Sequence, residues 1–285
     1  MNATSTSVPV GDIDIACTVV GEGIPVVVVG EPWLGAGYLR GLDTWSTGFR
    51  LVYVDQRGSG ATAAGDPSRV SLAGAIDDLD RLRMGLGAAQ INLVGHSAGA
   101  ILAALYAGRH AETTASVVLL NPGPPLDPQL RIKFEHAMAA RRTADDDAAR
   151  AAIEQSAKFR ARDPKMLERH TLNTYLPFFR ERSTIETVDL AFTAITAQNV
   201  LAGPGRMFGG IGALDPFGIF AQIRCPTLVV HSELDPIPVE WAHTLVEAIP
   251  DADFVLLEDA GHFAHIEDAE QLAGAALPWL AEHAR

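Results

Sequence analysis

Ile91-Asn92-Leu93-Val94-Gly95-His96-Ser97-Ala98-Gly99, running on through Ala100-Ile101-Leu102-Ala103-Ala104-Leu105-Tyr106-Ala107-Gly108, is the stretch on which the fold turns. It is the least polar window of the chain, yet Asn92, His96 and Ser97 and three glycines interrupt it, which a membrane helix would not need. The window instead reads as a buried strand, a tight turn and a buried helix. A strand-to-helix turn with Ser at its apex needs flanking glycines, because a strained backbone and close strand-helix packing leave no room for side chains. Ser97 then stands at a helix N-terminus, where the free N–H of Ala98 can donate to a developing oxyanion and the helix dipole favours negative charge. The plainer alternative is a Gly-rich turn holding an unreactive Ser.

Outward from this segment, short apolar runs recur: VVVV at 26–29, LVYV at 51–54, SVVLL at 116–120, TLVV at 227–230 and DFVLL at 253–257. Runs apolar on both faces suit a mostly parallel sheet covered by helices. Helical patterns at about 71–87, 98–109, 238–249 and 267–283 alternate with them, which predicts an α/β doubly wound architecture. Val8 to Val20, with Gly11, predicts an antiparallel hairpin at the sheet edge. Between Leu126 and Gln222 no strand pattern appears, and helix-like spacing of Ala, Arg, Glu and Asp predicts a helical insertion. That interval holds 13 basic and 12 acidic residues and is near neutral, while the rest carries 9 and 23. The expected organisation is a core of 1–125 and 223–285 with a helical cap over 126–222.

The 285 residues are 48% hydrophobic and 20% charged, an ordinary globular balance with enough apolar mass for a sizeable core. A net charge of −13 without a basic cluster argues against nucleic acid as a partner. Two distant cysteines, Cys17 and Cys225, make neither a disulfide framework nor a zinc site. The start MNATSTSVPV has no secretory pattern, so the expectation is a cytoplasmic protein with no membrane partner, acting as monomer or homodimer.

A Ser hydroxyl is a weak nucleophile until a base takes its proton, so the chemistry needs a His and an acid further along. After TLVV comes His231-Ser232-Glu233-Leu234-Asp235-Pro236, which places Asp235 in a loop at a strand's C-terminal end. After DFVLL comes Glu258-Asp259-Ala260-Gly261-His262-Phe263-Ala264-His265, which places His262 in the loop leaving the last strand. The chain order Ser97, Asp235, His262 is that of an α/β-hydrolase triad.

With these residues the sequence resembles the α/β-hydrolase family, in particular cap-bearing members related to proline iminopeptidases and small esterases. The resemblance rests on Gly95-His96-Ser97-Ala98-Gly99, on the Asp55-Gln56-Arg57-Gly58-Ser59-Gly60 turn, on Cys225-Pro226-Thr227 and on the final Gly261-His262-Phe263. It implies acyl chemistry without metal or organic cofactor, with Ser97 as nucleophile, His262 as base and Asp235 as its orienting acid. Relatives commonly carry His-Gly-Gly-Pro-Gly or His-Gly-x-Pro where this chain has Val29-Gly30-Glu31-Pro32-Trp33. The supporting His is lost to Val29, and Glu31 occupies the position whose backbone N–H, with that of Ala98, forms the oxyanion hole. The Glu31 side chain either turns to solvent or a structural partner, or faces the pocket and selects a cationic group.

His96 is expected to pack beneath the turn, and His265 and Glu233 are rivals of His262 and Asp235 in principle. Asp55 and Arg57 are expected to hold a loop. Asp145-Asp146-Asp147 lacks the ligand pattern of a calcium loop and reads as a solvated helix start. Trp33, Tyr175, Phe178, Phe179, Met207 and Phe208 are the candidates for a substrate pocket, against the alternative that the cap aromatics form the insertion's own core. The expected function is hydrolysis of an ester, lactone or amide bond of a small acyl substrate. The alternatives are an aminopeptidase of the proline iminopeptidase type, an acyltransferase or cyclase using the same triad, and a ligand-binding receptor with negligible turnover.

Overall fold

The computed structural model describes residues 3–285. Strands β1 (Ala3–Val10) and β2 (Ile13–Val20) form an antiparallel hairpin, turned at Gly11 with φ of +65°. The expected hairpin began at Val8. The strand extends back to Ala3, with exposed Thr4, Ser5, Thr6 and Ser7 paired to Val19, Thr18, Cys17 and Ala16 of β2. Met1 and Asn2, the start of the segment read for a secretory pattern, lie outside the described residues.

The chain continues through β3 (Ile24–Val29), β4 (Phe49–Val54), α1 (Leu72–Gly85), β5 (Ile91–His96), α2 (Ala98–Arg109) and β6 (Thr114–Leu120). Seven helices follow: α3 (Pro128–Ala140), α4 (Ala144–Gln155), α5 (Ala157–Arg160), α6 (Pro164–Tyr175), α7 (Ala194–Asn199), α8 (Gly203–Phe208) and α9 (Pro216–Phe220). The chain closes with β7 (Thr227–Ser232), α10 (Val239–Ala248), β8 (Ala252–Leu257), α11 (Ala264–Glu267) and α12 (Ala269–His283).

The eight strands lie in the order β1-β2-β4-β3-β5-β6-β7-β8, antiparallel at β1-β2-β4 and parallel from β4 to β8. The inner strands β5, β6 and β7 are buried throughout, as unbroken apolar runs require. Helix α2 is buried from Ala98 to Gly108, and its small residues let the backbone lie close to the sheet and to the cap. A Cβ on Gly108 would sit 2.1 Å from the carbonyl oxygen of Ile219.

No strand occurs between β6 and β7 among the described residues, in keeping with a helical insertion over the sheet's C-terminal ends. The aspartate run opens α4: Thr143 and Asp146 form a reciprocal capping box, and acids in the first turn complement the helix dipole. One element has no periodic sequence signal. Residues Ala36–Thr47 form a run of 3-10 turns that buries Tyr38, Leu39, Leu42 and Trp45. Among the described residues no helix is long and apolar enough to cross a membrane.

Candidate active site

Ser97 sits between the end of β5 and the start of α2 with φ of +56° and ψ of −123°, a strained backbone for a side-chain-bearing residue. Close packing imposes it. A Cβ on Gly95 would lie 2.5 Å from the Gly99 carbonyl oxygen, and one on Gly99 would lie 2.3 Å from that of Val29. The Ser97 N–H donates to Leu120 O at 3.0 Å, and its carbonyl accepts from Gly123 N–H at 3.2 Å, so the turn is pinned from β6 and the loop after it.

Asp235 lies just beyond β7 and His262 just beyond β8, both buried. His262 Nδ1 and Asp235 Oδ2 are 2.6 Å apart. The carboxylate also accepts from Asn121 Nδ2 at 2.8 Å and from the Ile237 N–H at 2.9 Å. Burial alone would raise the Asp235 pKa, but the charge and hydrogen bond of His262 outweigh it and hold the carboxyl below its ordinary range. His262 Nε2 is buried without a hydrogen-bond partner among the described residues, which leaves it free to accept a proton. From the cap side, Phe178 lays its ring 4.5 Å from the imidazole and accepts the His262 N–H at 3.0 Å through its carbonyl.

The rivals are occupied elsewhere. Glu233 accepts the Asp259 N–H at 2.9 Å. His265 is buried, its Nε2 donates to Tyr38 O at 3.2 Å, and burial pushes its pKa down to about 3. His96 lies beneath the turn as expected, with Nε2 donating to the His262 carbonyl at 3.0 Å. That bond fixes its tautomer, so Nδ1 accepts from the Tyr38 hydroxyl at 3.1 Å. Asp55 accepts from the Ala36 and Ala61 N–H groups, and Arg57 bridges Asp12 and Asp78, so both hold loops.

The expectations for the Glu31 N–H and for two of the pocket residues need correction. The Glu31 N–H, expected to face an oxyanion, donates instead to the Tyr38 hydroxyl oxygen at 3.0 Å, because the Ala36–Thr47 turns carry Tyr38 under the β3 terminus. The Glu31 side chain does not reach solvent: it is 6% exposed, accepts from the Tyr175 hydroxyl, and lines the same cavity as Ser97 and Ala98. That cavity, of about 590 Å³, is walled by Trp33, Phe134, Tyr175, Phe178 and Phe208, with Arg131 also on its lining. Phe179 and Met207 were also expected there and are not among its lining residues. Phe179 stacks on Phe263 at 4.6 Å, and Met207 is buried in the apolar core.

The family profile described as the alpha/beta hydrolase fold matches residues 33–269. The chain belongs to the α/β-hydrolase fold family. Among curated relatives, it is 25% identical over 233 residues to RutD of Yersinia enterocolitica, named for carbamate hydrolysis, covering 81% of this chain and 78% of that one. It is 24% identical over 272 residues to a proline iminopeptidase of Heyndrickxia coagulans, covering 88% of each. Among solved structures, a thermophilic esterase from Thermogutta terrifontis superposes with a TM-score of 0.69 at 22% identity, covering 99% of both chains.

Besides Phe134 and Arg131 on the cavity lining, sequence reading missed Asn121 and Tyr38 around the site of this α/β hydrolase. Asn121 opens the stretch Asn121-Pro122-Gly123-Pro124-Pro125 just after β6. It holds Asp235 through its amide and takes a left-handed φ of +44°, a conformation that Asn tolerates and that could have marked it. Tyr38 carried no signal, since its role depends on a loop whose path only the folded chain shows.

Proposed function

We propose that this α/β hydrolase cleaves an acyl bond of a small molecule through a covalent intermediate on Ser97, with carboxylic esters as the favoured substrates. Ser97 Oγ attacks the carbonyl carbon while His262 Nε2 takes its proton, and Asp235 holds the imidazole and stabilises its charged form. The Ala98 N–H, at the N-terminus of α2, donates to the oxyanion. Collapse expels the leaving group with the proton from His262, and water then repeats the cycle on the acyl-enzyme. The observation that carries this is the 2.6 Å His262–Asp235 contact with Nε2 buried and free, combined with Ser97 on a strained elbow.

The mostly apolar cavity suits the acyl or alkyl part of an ester. For an aminopeptidase, cap carboxylates would have to meet a free amine. Glu168, Glu181 and Glu186 of the cap are all absent from the cavity lining, Glu168 accepting the Leu190 N–H instead, and the carboxyl on that lining is Glu31 of the core. Relatives named for carbamate hydrolysis and for iminopeptidase activity support acyl chemistry in general, since carbamates and peptides are both acyl compounds. We take 126–222 as a cap on a core of 1–125 and 223–285. A net charge of −13 supports a small-molecule partner over nucleic acid, for a monomer or homodimer in the cytoplasm.

The test is turnover of p-nitrophenyl esters of graded chain length beside a proline anilide. Esters should be hydrolysed, and Ser97→Ala and His262→Ala should each lower kcat by about three orders of magnitude or more. Preference for the anilide would make the protein a peptidase. Ligand binding with negligible turnover in the native protein would make it a receptor.

A further inference from the structure

Glu31 occupies a place where acyl chemistry tolerates a negative charge poorly. Its carboxyl shares the cavity with Ser97 and Ala98, the residues at which a tetrahedral oxyanion would develop. The main-chain donor of the same residue is spent. A single relay runs from the Glu31 N–H to the Tyr38 oxygen, from the Tyr38 O–H to His96 Nδ1, and from His96 Nε2–H to the His262 carbonyl. Of the two backbone donors expected at the oxyanion, the Ala98 N–H alone is left.

The carboxyl is itself held by a directed pair. The Trp33 indole N–H donates to the Tyr175 oxygen at 3.2 Å, which commits the Tyr175 proton to Glu31 Oε2. Oε1 is then the oxygen available to carry a proton. Among the described residues, no Lys, Arg or His forms an ion pair with Glu31. A buried carboxylate without a cation neutralises rather than bear the cost of desolvation.

We propose that Glu31, as a neutral carboxylic acid, is the second oxyanion donor, its Oε1–H standing in for the main-chain N–H that Tyr38 has taken. The proposal rests on the acyl-enzyme reading above and adds a catalytic residue to it. As Ser97 Oγ bonds to the carbonyl carbon, its proton passes to His262 Nε2, and the π pair moves onto the carbonyl oxygen. That oxygen accepts from the Ala98 N–H and from Glu31 Oε1–H. When the intermediate collapses, the pair returns to the C–O bond, the leaving group departs with the His262 proton, and Glu31 keeps its own. A carboxylic acid held neutral by an apolar site donates to the oxyanion in the same way in an enol-forming isomerase.

The charge state agrees with this. Burial raises the Glu31 pKa, and although the Tyr175 hydroxyl, the nearby His262 and the polar groups of Ser97 and Trp33 pull it back, burial prevails. The titratable or charged groups around it are Tyr175 from α6, Tyr38 from the Ala36–Thr47 turns, His96 at the end of β5, His262 after β8 and Arg131 of α3. Burial holds both tyrosines neutral far above the working range and His96 uncharged far below it. Ionisation of Glu31 turns a donor into a repelling charge and therefore sets the alkaline limb.

The experiment is the pH profile of kcat for p-nitrophenyl acetate with the native enzyme and with Glu31→Gln, Glu31→Ala and Tyr175→Phe, each checked for a native thermal transition. The native profile should fall on the alkaline side. Glu31→Gln keeps an N–H donor that cannot ionise, so its plateau should stay within about tenfold of native and its alkaline limb should vanish. Glu31→Ala should lose about 10² to 10³ in kcat with KM little changed. Tyr175→Phe removes a bond that favours the charged form, so its alkaline limb should move to higher pH. Glu31→Ala as fast as native, or Glu31→Gln as slow as Glu31→Ala, overturns the proposal. So does loss in Glu31→Gln confined to amine-bearing esters, which would make Glu31 an anionic amine site. Failure of the acyl-enzyme reading looks different: the native protein would then neither turn over the ester nor depend on Ser97.

Discussion

His262 Nδ1 meets the Asp235 carboxylate, and the same oxygen of Asp235 accepts from the Asn121 amide. On the proposed mechanism, Asp235→Asn presents an amide to Nδ1 and should lower kcat by about 10² to 10⁴ while leaving the fold intact. Asn121→Gly keeps the left-handed backbone but deletes the amide. It should lower kcat by about tenfold with KM unchanged, the scale of one hydrogen bond to a buried charge. Steady-state kinetics on one ester separate the two parameters, and an effect confined to KM would contradict a positioning role for Asn121. At this scale the sequence was most legible where chemistry demands a residue type in a fixed chain order, as with the pairing of Asp235 and His262. It was least legible at Glu31. Its N–H was expected to be free because local pattern cannot register that Tyr38, seven residues on, would return to claim it.

Among the elements, the turn from β5 to α2 is determined by backbone proximity. Gly99 has no room for a Cβ beside the Val29 and Gly30 carbonyls, at 2.3 and 2.5 Å, and neither main-chain atom can give way cheaply. Gly99→Ala should cost at least about 2 kcal/mol of stability and misplace Ser97. Gly274, exposed within α12, has nothing within 4 Å of a built Cβ. Gly274→Ala should stabilise the protein by about 0.5 to 1 kcal/mol through the helix backbone alone. Denaturant unfolding of the two variants checks the pair, and equal effects of one sign would contradict this account. The parallel strands and their helices were legible because apolar runs and helical periods alternate without ambiguity. The Ala36–Thr47 turns were not, since 3-10 segments held by tertiary burial of Tyr38, Leu42 and Trp45 leave no period in the sequence. The cap's aromatics divided for a similar reason: Phe178 and Phe179 are neighbours, but one turns to the cavity and the other stacks on Phe263.

For the whole molecule, burial of uncharged histidines couples the site to stability. His96 and His265 pack against one another at 4.8 Å, and both have pKa values depressed first of all by burial. His265 titrates at about 3 in the folded state and near 6.5 when unfolded. Between those values the unfolded chain binds the extra proton, so this group's contribution to stability is full above about pH 6.5 and is lost as pH falls towards 3. His265→Gln cannot titrate. Its stability deficit relative to native should therefore be largest near pH 8 and narrow by about 1.4 kcal/mol per pH unit below about pH 6. A deficit constant from pH 8 to 5 in chemical denaturation would show that His265 is not held neutral.

The central claim is that Ser97 carries the acyl group. It is tested most directly by incubating the native protein with a fluorophosphonate and mapping the adduct by peptide mass spectrometry. The expected result is one stoichiometric label on the peptide containing Ser97, absent in Ser97→Ala and slowed strongly in His262→Ala. A native protein that stays unlabelled under conditions in which its fold is intact, or a label on any other residue, would contradict it.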